Sequence, residues 1–391
     1  MGWYGKGNFG DEALLYCIEK EILKYLPKAQ IHVFCADSNN VSHDKSTMVY
    51  DRTPLNNFRK KFGIVSTADI FVIGGGTMLC DNHNFKINIS AISSMMFWPI
   101  ISKFYKVPCM AYAQGIGPAH NLSIRLTIKY IYSCFDKLSL RDNQSTDLYK
   151  DISKKKDNIF TTCDPVVDTE YFEPSRFKKA SFINKYPFLI DQLPYTIVSI
   201  RKYLRSDNSK NKVFLTKLCE SIKLFQRYSN TNIVLFPAQK SNNNFYDEIM
   251  NELIQKKLLR FGLIENKIHK VNWTSLEEAA ILLQNSKLVL SNRLHTLLIA
   301  AKAGVAITGI VHQDKIKACL EMIGLNESCN FLYQDDFEIE TAIKLLTVAW
   351  DNAENNRSKI KRGIEKWGRA KPSNIEILQQ LVYYSNTMKN R

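Results

Sequence analysis

The chain has 391 residues, more than one ordinary domain holds, and suits two domains of roughly 150–200 residues each. Hydrophobic residues make up 45% and charged residues 23%, which excludes extensive disorder, and 53 Lys+Arg against 38 Asp+Glu, a formal charge of +15, favours anionic partners. Nine cysteines without one CxxC pair argue against a zinc ribbon or a thioredoxin-like site, their odd number argues against a closed disulfide framework, and they read as small buried residues of a reducing cytoplasm.

In chain order, the N-terminus shows no basic stretch followed by an apolar one, so no secretion signal is expected. A helix is expected from Asp11, with Ala13, Leu14, Cys17, Ile18 and Ile22 on one face, until Pro27 stops it. Strands follow at 30–35, 69–73, 108–113, 138–140 and 158–163, with helices at 122–135 and 144–149 between the last three. The most apolar stretch, 89–113, is broken by Pro99, Lys103, Lys106 and Pro108, so nothing approaches the ~20 apolar residues of a spanning helix. Residues 165–194 carry four prolines and no period, as a connection between halves does. The rhythm resumes with strands at 195–200, 232–236, 269–271, 288–291 and 306–310, and with helices centred on Leu218, Ile249, Ala279, Leu298 and Leu320. From Phe337 the tail reads as helical. Such alternation predicts α/β architecture: two Rossmann-like, doubly wound domains facing across a cleft, the first at 1–175 and the second, with its helical tail, at 176–391.

In open parallel sheets ligands bind at the carboxyl ends of strands, and the chain's informative residues cluster there. Gly5-x-Gly7-x-x-Gly10 matches a dinucleotide fingerprint, but only residues 1–4 precede it, and Asp11 and Glu12 put like charge where a pyrophosphate would seek helix N–H groups. A tight turn with acidic capping is the bland alternative, and it leaves Asn8 unexplained. Gly74-Gly75-Gly76 with Asp81, and Gln114-Gly115-Ile116-Gly117, let backbone approach a ligand or merely a neighbouring loop. Ser139-Leu140-Arg141-Asp142 reads first as a structural ion pair. Ser291-Asn292-Arg293-Leu294-His295 is the most specific piece: an arginine can fork onto a carboxylate or phosphate beside a histidine that delivers a proton near neutral pH. Arg201 ends the strand that opens the second half, so two arginines at strand tips make a pocket for a small polyanion.

Together these pieces resemble the polysaccharide pyruvyl transferase family. GKGNFGDEALL, GGGTMLCD, AQGIGP, SLRD, CDPVVD and SNRLHTLLIA stand in the family's order and spacing from residue 5 to about residue 315, closing on a GI-x4-K segment that ends at Lys315. The resemblance implies a fold like that of the two-domain (GT-B) glycosyltransferases. It also implies transfer of a pyruvyl group from phosphoenolpyruvate to a sugar of a surface polysaccharide or its lipid-linked precursor, as a cyclic ketal. Donor binding then falls to Arg201, Arg293 and Lys315. The strand that usually precedes the first glycine motif is expected to be missing from the first sheet. Where the family commonly shows Tyr-Asp-Pro before the lysine, this chain has His312-Gln313-Asp314.

On this reading His295 is the acid and Asp11 the base, while Asn8, Glu12, Gly75, Gly76, Asp81 and Gln114 serve the acceptor. Phosphoenolpyruvate is a co-substrate, and neither cofactor nor metal is expected, since the seven histidines include no HxH or HxxxH pair. Basic runs such as Arg59-Lys60-Lys61 and Lys154-Lys155-Lys156 read as solvated helix faces or, more sharply, as peripheral attraction to anionic lipid at the inner face of the plasma membrane. No aromatic–basic interleaving suggests nucleic acid. The rival activities are a glycosyltransferase of the same architecture using a nucleotide sugar, and a non-catalytic saccharide-binding subunit.

Overall fold

A computed structural model of the protein describes residues 1–39, 41, 47–52, 57–79, 89–154, 157–168, 183–189, 193–201, 208–240, 247–326, 330–369 and 371–389. Asp81, assigned to the acceptor, lies outside them. Two compact units emerge: Met1–Lys6, Asp11–Tyr171 and Gly368–Arg391 form the first, Gly7–Gly10 and Phe172–Trp367 the second. This division departs from a single cut near residue 175 in two ways. The terminal helix Asn374–Lys389 goes with the first unit, and the loop Gly7–Gly10 goes with the second.

The first unit holds β1 (His32–Cys35), β2 (Met48–Asp51), β3 (Phe71–Ile73), β4 (Gly76–Leu79), β5 (Cys109–Ile116), β6 (Lys137–Leu140) and β7 (Ile159–Thr161). β1 and β2 pair with each other, and β3–β5–β6–β7 form a parallel sheet with β4 also on β5. Alternate side chains of a strand face opposite ways, and β5 is buried on both faces. Cys109 and Ala111 enter a core with Trp98, Ile128 and Tyr132. Met110 and Tyr112 enter another with Ile18, Ile377, Leu378 and Leu381. That second face needs a cover, and the terminal helix supplies it. Residues 1–4 connect β1 and β3: Gly2 N donates to Phe34 O (3.0 Å), the Met1 ammonium to Val72 O (2.7 Å), and Gly74 N to Met1 O (2.8 Å). A cavity of about 1030 Å³ is lined by residues of the same two strands, including Val33 and Val72, and by Ile18 and Leu378.

The second unit is a single six-stranded parallel sheet of β8 (Tyr195–Ser199), β9 (Asn232–Leu235), β10 (Ile268–Lys270), β11 (Leu288–Ser291), β12 (Ala306–Val311) and β13 (Phe331–Tyr333). Its order, β10–β9–β8–β11–β12–β13, is the Rossmann order, with the reversal between β8 and β11. Val198, Ile233, Leu235, Leu288 and Leu290 pack into one core with Phe214, Leu218, Ile254, Leu346 and Trp350. The intervening Ile197, Val234 and Val289 are buried as well, as a sheet covered on both faces requires.

Candidate active site

The reversal in the second sheet fixes where a ligand goes, because the chain leaves β8 and β11 toward opposite faces and opens a crevice between their carboxyl ends. Ser199 pairs with Ser291, and Ser291 with Gly309. Arg201 and Arg293 are therefore each two residues past a paired position on strands about 4.8 Å apart. His312 follows β12 by one residue.

The Ser-Asn-Arg-Leu-His motif builds this edge. Ser291 Oγ donates to Ser199 O (2.8 Å) and accepts from Arg293 N (2.9 Å). Asn292 clamps its neighbour's backbone, accepting from Arg201 N (2.7 Å) and donating to Arg201 O (3.1 Å). Arg293 is the N-cap of the helix Leu294–Lys302, which places His295 in its first turn, where helix N–H groups point toward an anion. Its guanidinium is aimed by Asp247: Nε donates to Oδ2 (2.9 Å) and Nη2 to Oδ1 (2.6 Å), with Gln239 Oε1 3.3 Å from Nη2. The Arg293 side chain keeps 11% exposure against 2% for Asp247. Lys315 stands in the first turn of the next helix, Asp314–Met322.

Three of these cations act on one histidine. Burial and the fields of Lys315, Arg201 and Arg293 push His312 down to about 3, so its imidazole is neutral near pH 7. Arg201 and Arg293 follow neighbouring strand ends of one sheet, and Lys315 stands in the helix that follows the next strand.

The loop Gly7–Gly10 accounts for Asn8. Phe9 N donates to Ala238 O (2.8 Å), Lys240 N donates to Gly7 O (2.8 Å), and Asn8 bridges Gln239. Phe9 packs edge-on against Phe236, ring centroids 5.7 Å apart. A Cβ at Gly10 would fall 2.3 Å from His295 Nδ1, so glycine there is what lets the loop's backbone lie against the imidazole. The third glycine of the motif makes room for a histidine. Asn8 Oδ1 accepts from Gly10 N (3.0 Å), which shapes the same turn.

In the first unit the glycine and acidic motifs are tightly tied. Glu12 is buried and accepts from Gly5 N (2.7 Å), latching the glycine turn. Gln114 is buried too, donating to Gly74 O and accepting from Tyr132 Oη (3.3 Å). Gly75 packs on Leu14, and Asp11 Oδ1 lies 3.8 Å from where a Cβ of Gly76 would stand. Arg141 is held by Asp142 (3.2 Å), Asp164 (3.5 Å) and Thr77 Oγ1 (3.1 Å), as its structural reading expects. Asp247, Gln239 and the clamp function of Asn292 escaped the motif reading; Asp247 is a lone acid more than forty residues from its arginine and leaves no local signal.

A Rossmann sheet with arginines past the strand ends at its switch point, and a helix N-terminus carrying histidine, is an arrangement whose chemistry suits a small, highly charged anion. A family model described as polysaccharide pyruvyl transferase matches residues 8–314, and the chain belongs to that family. Membership implies an enzyme that takes pyruvyl groups from phosphoenolpyruvate. No curated protein sequence matches the chain. Among solved structures it is similar to a UDP-N-acetylglucosamine 2-epimerase of Neisseria meningitidis bound to UDP-GlcNAc (12% identity, 98% of each chain, TM-score 0.61). It is likewise similar to HepE of Anabaena in complex with UDP (10% identity, 99% of this chain and 98% of that one, TM-score 0.59). At such identities the likeness establishes the fold, which is GT-B-like. Among the described residues no helix is long and apolar enough to cross a membrane, and no group of histidine, cysteine and acidic side chains could hold a metal.

Proposed function

We propose that this protein transfers the pyruvyl group of phosphoenolpyruvate to two hydroxyls of one sugar, in a surface polysaccharide or its lipid-linked precursor, and closes a cyclic ketal. The observation that carries the reading is the placement of Arg201 and Arg293 two residues past paired positions of β8 and β11, the strands at the reversal of the second sheet, with Lys315 in the first turn of the helix that follows β12. Phosphoenolpyruvate presents a carboxylate and a phosphate on one small skeleton, and arginine forks suit both.

In the proposed reaction His295, as imidazolium, protonates the methylene carbon, and the electron pair of the C=C bond makes the new C–H bond. The resulting oxocarbenium carbon is attacked by a sugar hydroxyl, whose proton passes to Asp11, the residue that follows Gly10. The C–O bond to phosphate then breaks with its electron pair, a second hydroxyl adds with loss of its proton, and inorganic phosphate and the ketal result. Asn8 and the glycine backbone at Gly75 and Gly76 are the acceptor contacts this reading retains, while Glu12 and Gln114 keep their loops in shape. The exposed Arg59 and Lys60 support peripheral attachment to anionic membrane, with the catalytic chain in the cytoplasm; Lys61 of the same run is buried and donates to Asp51 O (3.0 Å), and Lys155 and Lys156 lie outside the described residues.

Calorimetry tests the donor. Phosphoenolpyruvate should bind the full chain, and Arg201→Ala should abolish most of the heat. Binding of a nucleotide sugar, with none of phosphoenolpyruvate, overturns the reading in favour of glycosyl transfer.

A further inference from the structure

A helix on the surface of a domain buries one stripe and keeps the opposite one polar. Three helices of the first unit, Phe58–Thr67, Ile89–Phe104 and Leu122–Tyr132, bury their inner stripes in one core, through Val65, Trp98 and Ile128. The outer stripes of the last two are not polar. At four-residue spacing, Met96, Ile100 and Phe104 are exposed on the helix Ile89–Phe104, Phe104 by 77%, and Leu122, Leu126 and Tyr130 on the helix Leu122–Tyr132, Leu122 by 71%. Single apolar exposures need no explanation, but these run in rows. The helix Phe58–Thr67 joins the first row through an aromatic ladder. Ring centroids lie 6.0 Å apart for Phe97 and Phe58, 5.6 Å for Phe58 and Phe62, 5.2 Å for Phe62 and Tyr105, and 5.1 Å for Tyr105 and Phe104. The ladder ends at a helix terminus of Schellman type: Val107 N donates to Ser102 O (2.8 Å) and Lys106 N to Lys103 O (3.1 Å), with Lys106 at φ 58°, where glycine is usual. That turn leaves Lys103, Phe104, Tyr105 and Lys106 exposed together at its tip.

The charge on these helices has one sign. None of the three contains an aspartate or a glutamate, while Arg59, Lys60, Lys103 and Lys129 are exposed along them and Lys106 follows. Arg125 pairs with Asp151 of the helix Asn143–Ser153. Apolar rows edged by cations fit a partner that is apolar inside and anionic outside, which is the profile of a bilayer carrying anionic lipid. A second copy of the face would set its cations against their own kind. A nucleic acid would meet the cations but gain little from Met96, Ile100, Leu122 and Leu126, which offer its bases no aromatic platform.

We propose that this face of the first unit lies on the surface of an anionic bilayer. Phe104 and Leu122 enter the boundary between headgroups and acyl chains, Tyr105 and Tyr130 stand at headgroup level, where amphipathic rings settle, and Arg59, Lys103, Lys106 and Lys129 meet lipid phosphates. The inference rests on the reading of peripheral attachment given above; it names the face that makes the attachment and adds an apolar insertion that charge alone does not supply. The two forces leave different signatures. Each cation at the surface strengthens partitioning about fivefold and is screened by salt. Each large apolar side chain that leaves water strengthens it about tenfold or more, and salt does not screen that gain.

Co-sedimentation of the full chain with lipid vesicles reads both. Vesicles of phosphatidylcholine and phosphatidylglycerol in equal parts should bind the wild type, and vesicles of phosphatidylcholine alone should bind it far more weakly. The triple variant Arg59→Ala, Lys103→Ala, Lys129→Ala should lose about a hundredfold in partitioning at low salt. The double variant Phe104→Ser, Leu122→Ser should lose about a hundredfold, and no less at high salt. Removing three exposed cations of the second unit, as Lys256→Ala, Lys361→Ala, Lys366→Ala, should change little. Vesicle binding that survives both face variants, or that falls as far in the second-unit variant, overturns this inference and leaves peripheral attachment standing. A wild type that binds no anionic vesicle overturns both, and phosphate release still judges pyruvyl transfer. A wild type that is dimeric without lipid, with face variants that are monomeric, overturns the inference in favour of a second copy. Should a face variant fail to fold, Phe104→Trp decides the matter: fluorescence quenching by brominated lipid beyond that of the wild type supports the insertion, and no added quenching contradicts it.

Discussion

Two arginines follow strand ends in similar sequence settings, Arg141 in Ser-Leu-Arg-Asp and Arg293 in Ser-Asn-Arg-Leu-His, and the two units use them in opposite ways. Arg141 faces two carboxylates and a threonine hydroxyl, with its side chain 2% exposed. A Cβ at Gly115 would stand 2.9 Å from its Nη2, so the glycine after Gln114 is shaped to the guanidinium. Arg293 faces one carboxylate, and its side chain retains 11% exposure. The first constellation sets two carboxylates against one guanidinium and is closed; the second sets one carboxylate against one guanidinium and keeps an edge open. The two arginines thus differ in how many carboxylates pair with them and in the edge left open.

Breaking each side of that comparison should give different signatures. The largest effect is expected at His295, where general acid help is worth roughly 10²–10⁴-fold. His295→Ala should lose about that much turnover while calorimetry still records phosphoenolpyruvate binding. Next comes Arg141→Met, which leaves Asp142 and Asp164 buried without their cation. A broken buried pair costs about 3–5 kcal/mol, so thermal unfolding should shift strongly while any residual folded protein still binds the donor. Arg201→Ala should be the mirror image, with little change in melting and a loss of about 1.5–3 kcal/mol in donor affinity, the range for hydrogen bonds to charged groups. The mildest is Asn292→Ala, which removes the clamp on the Arg201 backbone. About 0.5–1.5 kcal/mol per bond should appear in KM more than in kcat, and a change in kcat alone would contradict the positioning function.

The second unit was far more legible in sequence than the first. Five of its six strands have expected spans that agree with the observed ones to within a residue, and four of the five, β8, β9, β11 and β12, are mostly apolar runs. β2, β4 and β13 have no expected counterpart, and β4 opens on Gly76 inside what reads as a turn. The terminal helix belongs to the first unit because of a face that Met110 and Tyr112 present more than two hundred residues earlier, a pairing no local pattern records. The same holds in the site. Arg201, Arg293 and His295 stand out because polar residues at apolar strand ends are conspicuous. Asp247 and the latch formed by Glu12 do not, since a carboxylate in a first helical turn is the commonest of capping signals.

The most direct test of the account is release of inorganic phosphate from phosphoenolpyruvate by the purified chain in the presence of a panel of lipid-linked and synthetic glycosides, with mass analysis of the sugar product. Phosphate release that requires a glycoside, matched by one pyruvyl ketal added to the sugar and abolished in His295→Ala, is the predicted result. Sugar products that carry a transferred glycosyl residue from a nucleotide sugar, or no phosphate release with any glycoside while saccharides still bind, would contradict it.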